Sequence, residues 1–396
     1  MKKKVGIVIG GVSVEHEVSV ITGLQAAAAL DRSQYDPVPI YISKAGDWYT
    51  GEVLLDIEQY HDLTALLRQA IPVTLYKPLY EPPVLLEQQA PWWRRKRRFP
   101  VDVLLLALHG GEGEDGSFQG LCETYNLPYT SSGVLSAALA MDKVFSKQLC
   151  QQVGIPVVPF NSFRESEWAE HEDEWLDRII AELGLPVIVK PARLGSSIGI
   201  SRAETRETLE SAIEEALRFD EKIIIEKAIY PLREINCSVL GHPDEAVVSV
   251  LEEPLPGEQT DLLTFEDKYQ RGSKGGGKQA SGMAALDRII PAPLEASQEE
   301  QIRELALRIF KYFECYGVVR IDFLLKKDTG EVYFNELNTI PGSLSFYLWE
   351  PVGISFTELT HRLIQLALRR HQFKNRRVRE YEPNLLAAGT WKGVKK

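Results

Sequence analysis

Two apolar runs late in the chain, residues 317–325 and 331–337, flank Asp328-Thr329-Gly330, a three-residue connection with glycine where a positive φ is wanted. This spacing predicts a hairpin. If the loop closes symmetrically about Thr329, Asp322 faces Glu336 and Arg320 faces Asn338, and all four share one face because residues i and i+2 point the same way. Opposed carboxylates on neighbouring strands repel unless a cation lies between them. Mg2+ suits the position, because it takes a few carboxylate and amide oxygens and completes its shell with substrate phosphates. The competing reading is an exposed polar hairpin face. Against it stand apolar Ile321, Phe323 and Leu337 on the other side and the continuation of Asn338 into Thr339-Ile340-Pro341-Gly342.

Three further loops carry chemistry-bearing residues. Lys190-Pro191-Ala192-Arg193-Leu194-Gly195-Ser196-Ser197-Ile198-Gly199 follows an apolar run directly. A lysine at a strand end before small residues allows backbone amides, hydroxyls and an ammonium to approach phosphate, although an ordinary turn has the same composition. Residues 272–279 nearly spell a Walker A loop, but Gln279 stands where the Mg2+-binding hydroxyl belongs and no buried strand leads in, so this is read as a loop only. Gly10-Gly11 after the first apolar run lacks the spacing of a dinucleotide site, yet a glycine turn there is where wound sheets place ligands. Glu15 in that loop is suited to hold an ammonium group or to favour the start of the next helix. His109 opens a second strand-end loop, Gly110-Gly111-Glu112-Gly113-Glu114-Asp115-Gly116.

These loops need elements to position them. Residues 5–9, 38–42 and 101–108 read as strands and 18–30 as a helix, the alternation of a wound parallel sheet, with a less regular stretch over 51–100. After the loop Gly154-Ile155-Pro156, strands near 157–160, 187–190, 222–226 and 234–240 and helices near 168–183 and 205–219 predict a compact α+β unit. A third section follows, with a helix over 298–313, the hairpin and a closing helix over 356–369. The expected domains are 1–154 (α/β), 155–242 (central), 243–375 (C-terminal) and a tail, 376–396.

Composition narrows the function. The 396 residues carry 45 Lys+Arg and 56 Asp+Glu, a net charge of −11, which argues against a polyanion-binding surface. Trp92-Trp93-Arg94-Arg95-Lys96-Arg97-Arg98 invites a nucleic-acid reading, but in an acidic chain the favoured one is a solvated loop whose arginines lie over the indoles or meet acidic neighbours. Cys122, Cys150, Cys237 and Cys315 are too scattered for structural zinc or a disulfide framework. No apolar run approaches the roughly 18 residues of a membrane helix. The expectation is a cytoplasmic protein that binds neither membrane nor nucleic acid.

Taken in order, Gly-Gly-x-Ser-x-Glu-His-Glu-Val-Ser at 10–19, Leu-His-Gly at 108–110, Gly-Glu-Asp-Gly at 113–116, Ser-Gly-Val-Leu at 132–135, Ala-Met-Asp-Lys at 140–143, Val-Lys-Pro at 189–191, Gly-Ser-Ser-x-Gly at 195–199, Lys268-Tyr269, Arg320-x-Asp322 and Asn335-Glu336-x-Asn338-Thr339-x-Pro341-Gly342 resemble the D-alanine–D-alanine ligases of the ATP-grasp superfamily. The resemblance spans about residues 4–370. It implies a three-domain ATP-grasp architecture, α/β and α+β, whose N-terminal wound parallel sheet carries the first-substrate loops. It also implies ligation of two D-alanines at the expense of ATP, for peptidoglycan synthesis, and commonly a homodimer. By matching position, Lys143, Lys190 and Lys268 would contact ATP phosphates, with Ser197 beside them and Glu226, Lys227 and Glu234 around adenine and ribose. Asp322, Glu336 and Asn338 would hold two Mg2+ ions, for which Mn2+ can substitute. Glu15 would bind the ammonium of the first D-alanine, with Ser196 and Tyr269 in its hydrogen-bond network and His109 nearby. Lys268-Tyr269 belongs to a closing loop. Arg320 and the N–H of Gly342 would face the oxyanion formed when the second amine attacks.

One position departs from the family. A Ser-Leu pair after the Pro-Gly usually recognises the second substrate's carboxylate, and here it reads Tyr347-Leu348. Tyr347, Ser343 and Ser345 are three candidates for the lost hydroxyl, and D-Ser, D-lactate or another amino acid are alternative acceptors. A non-catalytic nucleotide-binding protein on the same fold is disfavoured by the joint presence of Glu15, Lys190, Arg320, Asp322, Glu336 and Asn338.

Overall fold

Val5, Ile7, Val8 and Ile9 are fully buried in β1 (Lys3–Gly10), as a strand covered on both faces requires. The computed structural model describes residues 2–255 and 287–378. β1 is parallel to β2 (Tyr35–Ile42), with α1 (His16–Ala29) between them. The stretch 51–100, which looks irregular in sequence, extends the same sheet. After β3 (Trp48–Thr50) it supplies α2 (Leu63–Gln69), β4 (Ile71–Tyr76), β5 (Val84–Glu87) and β6 (Arg98–Pro100). β7 (Val103–Leu106) closes the other edge, giving the order β6-β5-β4-β3-β2-β1-β7. Only β2, β1 and β7 are parallel, so the wound portion is one end of a mixed sheet.

The chain then passes through α3 (Ser117–Tyr125), α4 (Val134–Met141) and α5 (Lys143–Gln152). Asp142 starts α5 by accepting from the N–H groups of Val144 and Phe145. The second sheet is antiparallel, in the order β10-β9-β11-β8. Its strands are β8 (Phe160–Arg164), β9 (Val187–Pro191), β10 (Ser201–Ala203) and β11 (Lys222–Lys227), and it is backed by α6 (Glu165–Leu183) and α7 (Arg206–Leu217). The third sheet is antiparallel in the order β14-β13-β12-β15-β16, built from β12 (Leu232–His242), β13 (Glu245–Pro254), β14 (Arg288–Ile289), β15 (Gly317–Lys326) and β16 (Val332–Asn338). α8 (Ala296–Tyr312) buries Ile302, Leu305, Ala306, Ile309 and Phe310 against it, an i, i+3, i+4, i+7, i+8 stripe.

The strand expected over 234–240 in the central unit is β12, the middle strand of the third sheet, because its register runs against β15 and β13. The chain then forms α9 (Phe346–Trp349) and α10 (Phe356–Asn375). Leu359, Leu363, Ile364 and Ala367 of α10 belong to the same apolar core as β1 and β7, so the closing helix of the C-terminal section straps it to the first sheet. The basic run lies in the β5–β6 connection, where Arg94 and Arg97 both bind the buried carboxylate of Glu87 and Arg98 pairs with Glu81. All four cysteines are buried and unpaired, and no described helix is long and apolar enough to cross a membrane.

Candidate active site

The β15–β16 hairpin pairs Arg320 with Asn338 and Asp322 with Glu336. The loop does not close symmetrically about Thr329, however: Phe323 pairs with Phe334, and the register shifts by one residue between that rung and the next. Asn335 is the extra residue, and the bulge restores the register that aligns the four polar groups. It also presents Asn335 Oδ1 to Lys190 Nζ at 3.3 Å. The carboxylates do not depend on a metal to coexist. Arg320 holds both oxygens of Asp322 at 2.7 Å, Asn338 Nδ2 donates to Asp322 Oδ2 at 3.2 Å, and Lys143 Nζ lies 3.7 Å from Glu336.

Opposite the hairpin, a cleft of about 330 Å³ is lined by Lys143, Lys190, Ser197, Glu226, Lys227, Glu234, Asp322 and Glu336 together. Lys143 Nζ donates to Leu194 O at 2.6 Å, which ties α5 to the loop after β9. Glu226 is 2% exposed and flanked by two cations, Lys190 at 2.7 Å and Lys147 at 2.9 Å. Burial alone would raise its pKa, but the charges of Lys147 and Lys190 hold it down to about 2. Its carboxylate is therefore a counter-ion to both lysines, and Glu226, Lys227 and Glu234 all line the cleft. Among the described residues no group of three or more His, Cys, Asp or Glu could hold a metal unaided. Two carboxylates and the Asn338 amide fit a cation that completes its shell with phosphate and water, which is the habit of Mg2+.

Glu15, 6% exposed at the start of α1, accepts a hydrogen bond from Ser196 Oγ, joining the first sheet to the loop after β9. A small cavity beside it is lined by Glu15, Glu114, Lys143, Glu336 and Asn338. Gly110 approaches so closely, at φ +67°, that a Cβ would lie 2.5 Å from Ser13 Oγ and 2.7 Å from Glu15 Oε2. Gly110→Ala is accordingly expected to lower Tm, because its Cβ would press on Ser13 and Glu15 in a backbone conformation that disfavours a side chain; thermal unfolding checks this.

Glu114 accepts from Gly110 N at 2.7 Å, and burial followed by the charge of Glu15 raises its pKa to about 8. Between the ordinary value of 4.5 and about 8 the folded chain keeps a proton that the unfolded chain releases, so this group's contribution to stability falls as pH rises through that interval. Glu114→Gln should flatten that part of the Tm profile; a slope equal to wild type would place the proton elsewhere. His109 Nε2 lies 2.9 Å from Thr22 Oγ1, and burial, then the charge of Arg320, lowers its pKa to about 3, so the ring is neutral. Thr22 Oγ1 also accepts from Ser343 N at 3.0 Å. His109 thus braces the loop after β16 through Thr22.

After Pro341-Gly342, Ser343, Leu344 and Ser345 hold consecutive left-handed φ values of 53°, 50° and 51°. The hydroxyls of Ser343 and Ser345 are buried, with no hydrogen-bond partner among the described residues. Tyr347 directs its hydroxyl to Glu252 Oε1 at 3.4 Å, and the Arg288 guanidinium lies 3.9 Å from its ring centroid. Leu348, expected at the substrate, is fully buried. Lys268, Tyr269 and the Walker-like loop lie outside the described residues. Sequence reasoning did not single out Lys147, Glu252 or Arg288, and it named Asn335 only within a motif, without a role. Lys147 had a signal, since it follows Lys143 by four residues on one helix face.

Three sheets, a lysine-lined cleft and a carboxylate hairpin closing on it define an ATP-grasp enzyme. Residues 4–132 match the family described as D-ala D-ala ligase N-terminus and residues 149–365 the one described as D-ala D-ala ligase C-terminus. The chain belongs to the D-alanine–D-alanine ligase family. The D-alanine–D-alanine ligase of Thermosipho melanesiensis is 39% identical over 382 residues, 96% of this chain and 98% of that protein. That of Caldicellulosiruptor bescii is 40% identical over 379 residues, 94% of this chain and 97% of its own length. Among solved structures, the D-alanine–D-alanine ligase of Coxiella burnetii (28% identity, TM-score 0.75, 95% of this chain and 96% of that one) and the VanG D-Ala:D-Ser ligase of Enterococcus faecalis (29%, TM-score 0.75, 93% and 100%) share the fold.

Proposed function

We propose that the chain joins two D-alanines into D-alanyl-D-alanine, converting ATP to ADP and phosphate through an acyl phosphate, and supplies the dipeptide for peptidoglycan in the cytoplasm. The observation that carries this reading is that Lys143 and Glu336 line both the cleft holding Lys190 and Asp322 and the small cavity beside Glu15, so the lysine pair, the hairpin carboxylates and Glu15–Ser196 meet at adjoining spaces. A carboxylate is a poor acyl donor, so its oxygen first takes the γ-phosphoryl group of ATP. Lys143 and Lys190 hold the phosphates while Glu15 holds the donor's ammonium. The amine of the second D-alanine then attacks, and phosphate leaves as the peptide bond forms. Arg320 spends Nε and Nη2 on Asp322, and Nη1 has no hydrogen bond among the described residues, which suits it to meet the oxyanion together with Gly342 N–H. Asp322, Glu336 and Asn338 would hold two Mg2+ ions, or Mn2+, which when bound spread the charge of the transferring phosphoryl group.

Tyr347 supports keeping a second acceptor in view. Its hydroxyl meets a buried carboxylate, Glu252, which disfavours the serine-like contact to an incoming carboxylate. Incubation with ATP, Mg2+ and a panel of D-amino and D-hydroxy acids, read by ADP release and mass spectrometry, decides: D-alanine alone is expected to give the dipeptide, and absence of ADP release with D-alanine alone overturns the reading. We further propose a homodimer, which light scattering on the purified chain tests.

A further inference from the structure

Lys147 has no part in the chemistry above, yet its side chain is fully buried on α5 with its ammonium on Glu226 Oε1 at 2.9 Å and on Phe334 O at 3.2 Å. The same carboxylate holds Lys190 on its other oxygen at 2.7 Å. One lysine thus faces the cleft and the other faces the core, with a single buried carboxylate between them. Counted without Lys147, Lys190 and Glu226 cancel, and a phosphate entering the cleft would meet a neutral ion pair. Counted with it, the triad carries one net positive charge, and in a water-poor setting that charge is felt at the cleft mouth. Burial lowers the pKa of Lys147, the Glu226 carboxylate opposes that, and the Lys190 charge adds to it; the ion pair at 2.9 Å is what holds the ammonium there. Asn335 Oδ1, 3.3 Å from Lys190 Nζ, offers that ammonium a neutral acceptor beside the carboxylate.

We propose that Lys147 is a positioning residue for nucleotide binding: acting through Glu226, it absorbs the carboxylate's charge so that Lys190 is left to bind phosphate. This rests on the ATP reading of the cleft. A motif residue that touches the phosphates would lose affinity however Glu226 was treated. Lys147 is different, because its effect should vanish once Glu226 is neutral.

The test is calorimetric binding of a non-hydrolysable ATP analogue with Mg2+ and no amino acid, alongside KM for ATP and kcat. Lys147→Met is expected to weaken binding about tenfold or more, with kcat at saturating ATP within about threefold of wild type. Lys147→Met combined with Glu226→Gln restores one net positive charge at Lys190 and is expected to recover most of that affinity. Analogue binding by Lys147→Met equal to wild type, or a double variant as weak as the single one, overturns the proposal. Should Lys147→Met fail to fold, a folded double variant with restored binding supports it, and a double variant that also fails to fold assigns Lys147 to packing and overturns it. Wild-type protein that binds no analogue removes the ATP reading itself, an outcome separate from either variant's behaviour.

Discussion

Arg320→Ala is expected to lower kcat by about 10²–10³-fold, the usual cost of removing one preorganised oxyanion donor, while affinity for ATP stays within about threefold. The asymmetry follows from where the guanidinium lies. It sits on β15 outside the lining of the lysine cleft, and two of its three nitrogens are spent holding Asp322 at 2.7 Å. The variant therefore also takes from Asp322, 7% exposed, its bidentate partner, while the Asn338 amide stays 3.2 Å from its oxygen. Two controls separate these effects. Arg320→Lys keeps the charge and loses the bidentate grip, so it should recover part of kcat if charge on the oxyanion is what matters. A Tm scan reports how much of the loss is fold, since breaking one partner of a buried ion pair costs about 3–5 kcal/mol. Wild-type kcat in Arg320→Ala would remove the residue from the chemistry.

The polar face of the hairpin was legible because strand alternation is strict: once the turn was located, Arg320, Asp322, Glu336 and Asn338 had to share a side. The bulge at Asn335 was not legible. Alternation fixes faces, while an inserted residue shows itself only through the register on both sides of it. Glu226 illustrates a second limit. Its place at a strand end next to Lys227 reads as a ligand contact, and only the approach of α5 shows that its carboxylate is held by two lysines. α10 illustrates a third. Its apolar stripe was plain, but periodicity says that a face is buried and not against what, and the partner turned out to be the first sheet. The stretch over 51–100 hid three strands of six, four and three residues, because segments this short carry neither sustained alternation nor a long apolar run. Net charge told of the surface alone: a chain at −11 still lines one cleft with Lys143, Lys190, Lys227 and Lys327.

Glu336→Gln is expected to act in opposite directions on two measurements. Asp322 has both oxygens engaged by Arg320, whereas Glu336 lines the cleft with 23% of its side chain exposed and the Lys143 ammonium 3.7 Å away. Of the two carboxylates, Glu336 is thus the one whose charge bears most directly on an incoming phosphate. Removing that charge should cut Mg2+-supported turnover by about 10²–10³-fold, the several kcal/mol that a bound cation supplies to phosphoryl transfer, and should raise the Mg2+ concentration needed for half-maximal rate. Without any divalent cation, the same change should strengthen binding of ATP, because a like charge is gone from the phosphate site and Lys143 loses its competing partner. Asp322→Asn should show the first effect and little of the second, since Arg320 already masks that charge. Mg2+ titrations of turnover, paired with nucleotide binding in chelator, separate the two. If Glu336→Gln weakened ATP binding in chelator, the carboxylate would be holding Lys143 in place rather than holding a metal, and the cation would have to be sought elsewhere in the cleft.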